Sequence, residues 1–104
     1  MSRSAAGQIE DLRRKARAEH NRERSAARHG TQDAFDIAAG VIREHGVSQA
    51  AIDRLIEFIL ESAKVNLKGG DGFYDEAYNT VYNREHLRTL RQAKGIIEAE
   101  VTQT

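Results

Sequence analysis

At 104 residues, 39% of them hydrophobic and 31% charged, the chain is sized for one domain that buries only about two-thirds of its unfolded surface. Cys is absent, which excludes disulfides, thiolate metal ligands and cysteine nucleophiles, and no apolar run is long enough for a membrane span or a secretory signal, so a cytoplasmic setting is expected. The formal net charge is zero, yet residues 1 to 29 carry +4 and residues 30 to 104 carry −4.

Pro is also absent, so glycines and polar caps provide the punctuation, and every predicted element is a helix. The first predicted helix runs from about Ser4 to Arg28. Ala5, Ile9, Leu12, Ala16 and Ala27 share a face, but no large apolar residue follows Leu12 before Phe35, so only the first half can dock on a core. Arg13, Arg17, His20, Arg24 and Arg28 fall within about 80° of one another on a helical wheel and form one basic stripe. Forked guanidinium donors suit phosphate, and a row of them can neutralise several phosphates of a nucleic-acid backbone while releasing counterions. Nucleic acid or a nucleoprotein is therefore the expected partner of this stripe. The plainer account is that Glu10, Asp11, Glu19 and Glu23 pair with neighbouring arginines in an ordinary solvated helix.

Gly30 is read as the stop of that helix, with Thr31 or Asp33 capping a second one over about 32 to 45. It buries Phe35, Ala38, Ala39 and Ile42, and Gly46 stands where a left-handed residue is wanted after a helix. Ser48 caps the third predicted helix, 48 to 68, whose Ile52, Leu55, Ile56, Ile59, Leu60, Ala63 and Leu67 keep helical spacing throughout. That helix is read as the spine of the core. A second stripe on it, Ala51, Phe58 and Val65, would meet another helix or a second copy of the chain. A homodimer through this helix is thus an expectation, with Phe58 and Val65 as protein-contact candidates.

Gly69-Gly70-Asp71-Gly72 ends the third helix. With Phe73 the run resembles the signature loop of diguanylate cyclases, which has Glu where Gly72 stands. That signature belongs on a β-hairpin of a longer α/β domain, and a helix stop accounts for the glycines here. A fourth helix from Phe73 places Tyr74, Tyr78 and Tyr82 at i, i+4 and i+8. Such rings can stack on bases or anchor a protein partner, or they can lie at the core edge with their hydroxyls wet. Leu87, Leu90, Ala93, Ile97 and Val101 form a stripe rotated by more than roughly 90° from Phe73, Ala77 and Val81, so a break near Asn83 and a fifth helix are expected.

His20, His29, His45 and His86 lack metal-ligand spacing with one another, and no Ser-His-acid set can be picked out. No catalytic, cofactor or metal residue is assigned. From residue 34 to 97 the order of elements, with Val47-Ser48, Thr80-Val81 and Glu85-His86-Leu87, is similar to that of histone-fold proteins. The resemblance implies dimerisation along the third helix and DNA contact near Val47 and Thr80. Gly69, Gly70 and Gly72 depart from it where that family has one unbroken helix, and the arginines and lysines of its second loop are missing.

The resulting reading is an all-α protein: a basic N-terminal helical arm, residues 1–30, ahead of a compact bundle of about four helices, residues 31–104. It is expected to bind a polyanion through the arm without catalysis. The alternative is a protein-binding inhibitor or adaptor that uses the tyrosine row and the acidic surface of the bundle.

Overall fold

A computed structural model describes residues 4–67 and 75–103. Four helices and no strand occur among them: α1 (Ala5–Arg22), α2 (Ala26–His45), α3 (Gln49–Ala63) and α4 (Glu76–Val101). The expected glycine stop at 69–72, Phe73 and Tyr74 lie outside the described residues. The all-helical bundle expected from composition is therefore present, but it differs from the expected arrangement in three ways.

The first difference lies at Glu23–Ser25. No apolar side chain is available there to hold a helix to the core, and Ser25 is extended, with its hydroxyl accepting the Arg28 N–H at 3.2 Å. A new helix starts at Ala26, so neither Gly30 nor Asp33 is a boundary residue. Gly30 is buried inside α2 because α4 crosses it: a Cβ at this position would stand 2.3 Å from the Tyr82 carbonyl oxygen. A glycine that reads as a helix stop is here a contact point between two backbones. The expected boundary between arm and bundle at residue 30 falls in the second turn of α2, and α1 packs on both α2 and α4.

The second difference concerns the centre of the molecule. α2 and α4 each touch all three other helices, whereas α1 and α3 make no contact with one another among the described residues. The protein is thus a central pair with one helix on either flank, and α3 is not its spine. The same arrangement sets aside the histone-like order, which needs the third helix at the centre. The core consists of Ile9 from α1, Ala34, Ala38, Ala39 and Val41 from α2, Ala51, Ile52 and Leu55 from α3, and Leu90, Ala93 and Ile97 from α4. Small residues on α2 admit the larger ones of α4, which keeps the central pair close.

The third difference is at Asn83. α4 runs unbroken for 26 residues, and no fifth helix exists among the described residues. Of the first expected stripe, Ala77 is exposed, Val81 is half-buried and Phe73 lies outside the described residues, while Leu90, Ala93 and Ile97 of the second are buried in the core, so the helix needs no bend to bury two faces. Tyr78 and Tyr82 reach α2, Asn83 donates to the Ser62 carbonyl at the end of α3 at 3.1 Å, and Glu100 accepts the Ala5 N–H of α1 at 2.8 Å. These contacts make α4 antiparallel to α1 and α3 and parallel to α2. The caps after the second helix are as expected: Gly46 has φ 69°, and the Ser48 hydroxyl accepts the Ala51 N–H at 3.3 Å.

Candidate functional site

α1 is two-sided in an ordinary way. Ala5, Ile9 and Ala16 are buried against the central pair, and Ser4 caps the first turn by accepting the Gly7 N–H. On the outward side, between Asp11 and the turn after the helix, Arg14, Lys15, Arg17, Arg22 and Arg24 are exposed, and the exposed acids are Asp11 and Glu23. This face carries an excess of positive charge that the rest of the molecule balances elsewhere.

The five residues expected to form one basic stripe do not form it. α1 ends at Arg22, so Arg24 sits in the turn and Arg28 in α2. Arg13 lies on the flank facing α2, where Glu10 takes its guanidinium in two contacts at 2.6 and 3.0 Å and Asp36 stands 3.7 Å away. The forked hydrogen bond that Arg13 donates to Glu10 holds Arg13 more firmly charged, and the same bond draws the Glu10 carboxyl below its usual range. Arg28 bonds Glu23 at both its carboxylate and its backbone carbonyl, at 3.2 and 3.3 Å. His20 turns inward and stacks on His29. Of the five, Arg17 and Arg24 remain on the outer face.

Beneath that face is a cluster of polar rings that the helix-by-helix reading missed. His29 on α2 has the Tyr78 hydroxyl 2.9 Å from Nδ1 and the Asp33 carboxylate 3.3 Å from Nε2. A carboxylate can only accept, so the neutral ring satisfies both neighbours by donating from Nε2 and accepting the Tyr78 hydroxyl proton at Nδ1. Tyr82 donates to the same Asp33 carboxylate at 2.5 Å and packs its ring edge-on to His29, 4.9 Å between centroids. His86 is buried, stacks on Tyr82 and places Nδ1 3.1 Å from the Gly30 carbonyl. Burial pushes His86 below the usual histidine range, only partly offset by that backbone hydrogen bond. The cluster ties α2 and α4 together with hydrogen bonds, and α1 joins it through the His20–His29 stack.

Of the tyrosine row, Tyr78 and Tyr82 are half-buried with their hydroxyls bonded inside the protein, and Tyr74 lies outside the described residues. The signal for the cluster was present in the i, i+4, i+8 series Tyr78, Tyr82, His86 and in the i, i+4 pair His29 and Asp33, once a helix start at Ala26 is recognised. Among the described residues no group of three His, Asp or Glu side chains is placed to hold a metal ion.

On the opposite flank, α3 buries Ala51, Ile52 and Leu55 but leaves Ile56 38% exposed and Leu60 55% exposed, with Val65 beyond the helix end 54% exposed. Phe58 is not on that outer strip. It lies half-buried under the Arg54 guanidinium, 4.2 Å from its ring centroid, in a groove of about 490 Å³ between α2 and α3. Ala51 is fully buried, so the expected Ala51/Phe58/Val65 stripe is not an outward face. The outward apolar strip is Ile56 and Leu60, and Asp53, Glu57 and Glu61 are exposed beside it.

No helix among the described residues is long and apolar enough to cross a membrane. No protein-family model matches the chain, and no curated protein or solved structure shows detectable similarity to it.

Proposed function

We propose that the protein is a non-catalytic, cytoplasmic helical binding protein whose α1 outer face and the turn after it contact a polyanion, either nucleic acid or a nucleoprotein. One observation carries this reading: Arg14, Lys15, Arg17, Arg22 and Arg24 are exposed together, with Asp11 and Glu23 as the exposed acids among them. Four of the five are arginines, whose planar forks suit phosphate oxygens, and α1 carries all but Arg24, which follows in the turn. Binding of this kind is sequence-tolerant and falls steeply with salt.

The test is a titration of labelled DNA and RNA duplexes and single strands with the full chain, at about 50 and about 200 mM salt. Tight binding at low salt, a steep loss at the higher salt, and a shallower salt slope in the Arg17→Ala/Arg22→Ala/Arg24→Ala variant support the proposal. Absence of binding at low salt removes it.

A second reading rests on a different observation, the exposed Ile56, Leu60 and Val65 at the α3 flank. Under it the protein is an adaptor or inhibitor that buries this strip against a protein, a second copy included. Sedimentation of the native chain and of Leu60→Glu over a range of concentrations tests the homodimer form. Monomers throughout for the native chain remove that form.

A further inference from the structure

α1 and α2 meet at their shared end through two imidazole rings. His20 lies in the last turn of α1 and His29 in the first turn of α2, and the turn between the helices brings the rings into a near-parallel stack, with centroids 5.2 Å apart and planes 15° apart. The two rings are held differently. His29 has the Asp33 carboxylate beside Nε2 and the Tyr78 hydroxyl beside Nδ1, so a charge on it has a counter-ion and an acceptor at hand. His20 Nδ1 is buried and has no hydrogen-bond partner among the described residues.

A neutral imidazole tolerates one such nitrogen as an unused acceptor. A doubly protonated one does not, because both nitrogens become donors and Nδ1–H would then be buried without an acceptor. The charged groups around His20 mostly oppose a second proton. His29 faces it from α2, Arg24 from the turn and Arg28 from the start of α2, and Asp33 acts the other way. From α4, Tyr78 and Tyr82 reach His29 and Asp33, and His86 lies behind Tyr82.

We propose that the His20–His29 stack is a proton-sensitive latch that holds the C-terminal half of α1 against α2 and releases it when His20 takes up a second proton. Burial first, then His29 and Arg24, depress the His20 midpoint below the usual histidine range, in the sense the latch requires. The sign follows by linkage. In the opened state His20 titrates near its ordinary value of about 6.5, and in the closed state below it, so the opened state binds more protons between the two midpoints. The stabilisation of the closed latch is complete above about pH 6.5 and is lost as pH falls through the closed-state midpoint. One proton limits the steepness to about tenfold in the opening equilibrium per pH unit.

The experiment follows backbone amide exchange by NMR on the full chain from about pH 7.5 to about pH 5, together with the His20 ring titration. Native protein, His20→Phe and His86→Gln are compared. Phe keeps a flat ring on His29 without a titrating nitrogen. The expected result is that protection at residues 17 to 22 falls by up to about tenfold per pH unit below about 6.5 in the native chain and in His86→Gln, and stays level in His20→Phe. An equal pH slope in native and His20→Phe overturns the latch, as does a slope lost in His86→Gln instead. Should His20→Phe fail to fold, the native His20 ring decides alone: a midpoint at or above about 6.5 overturns the proposal, and one below it supports it.

Discussion

The two flanking helices occupy equivalent places on either side of the central pair and use opposite chemistry. α1 docks with Ala5, Ile9 and Ala16 and closes its far end with stacked histidines, leaving a charged outer surface. α3 is far richer in large aliphatic residues, yet it buries only Ala51, Ile52 and Leu55 and turns Ile56 and Leu60 outward. Apolar content therefore does not decide which helix is central. The number of neighbours a helix can accept does, and α2 wins that place with small residues: Gly30, Ala34, Ala38 and Ala39 allow close approach where α3's branched side chains do not.

The sharpest way to test that contrast stays within α3. Leu55 is fully buried and Leu60 is 55% exposed, one and a half turns apart on the same helix. Leu55→Ala is expected to cost about 3 kcal/mol, from lost transfer energy and the cavity left behind. Leu60→Ala, at a site already open to water, is expected to stay within about 1 kcal/mol. Urea denaturation of both variants checks this, and equal losses would mean that Leu60 is covered in solution.

Gly30→Ala gives the next largest effect and tests the close approach in the central pair. Alanine in a helix interior gains about 1 kcal/mol over glycine from propensity. Here the new methyl would meet the Tyr82 backbone carbonyl, which cannot swing aside as a side chain could. Displacing α4 outweighs the propensity gain, and a net loss of about 2 kcal/mol is expected in the same denaturation measurement. A gain in stability would show that the two helices are not in contact there.

Ser25→Ala is expected to cost about 1 kcal/mol, because the Arg28 N–H loses its acceptor at the start of α2. The loss should appear chiefly as faster amide exchange near the turn between α1 and α2, where few apolar contacts hold the chain. An effect spread evenly over the molecule would mean that α1 and α2 open only by global unfolding.

How far these features were legible in the sequence depended on whether their signal was local. The caps Ser48 and Gly46 could be read because a cap acts on its own turn. The break at Ser25 was passed over because the residues around it are all compatible with a helix, and what interrupts α1 is the lack of anything apolar to hold the chain there. Gly30 was misread because glycine has the same appearance when it ends a helix and when it lets another helix in. The two stripes of α4 suggest a bend because a periodicity records where apolar residues fall, without saying which of them are buried: Leu90, Ala93 and Ile97 are, and Ala77 is not. Nothing along α3 distinguishes Leu55 from Leu60; only the positions of α2 and α4 do. The ring cluster was hidden because it joins His20, His29, Asp33, Tyr78, Tyr82 and His86 across three helices, and charge or aromatic patterns were read along one helix at a time.

The smallest expected effect bears on function most directly. Arg17 and Arg24 are exposed and, among the described residues, make no ion pair like those of Arg13 and Arg28, so replacing either with Ala removes charge from a solvated surface. Stability is expected to change by no more than about 0.5 kcal/mol in each variant. Arg13→Ala, in contrast, takes the cation from Asp36 and leaves Glu10 only its 3.3 Å pair with Arg14, and should be the more damaging change. The size of the difference matters because a surface kept for a partner contributes little to the fold that presents it. If Arg17→Ala or Arg24→Ala destabilises the chain as much as Arg13→Ala, those guanidinium groups are satisfied within the protein, and α1 has no cationic face left to offer a polyanion.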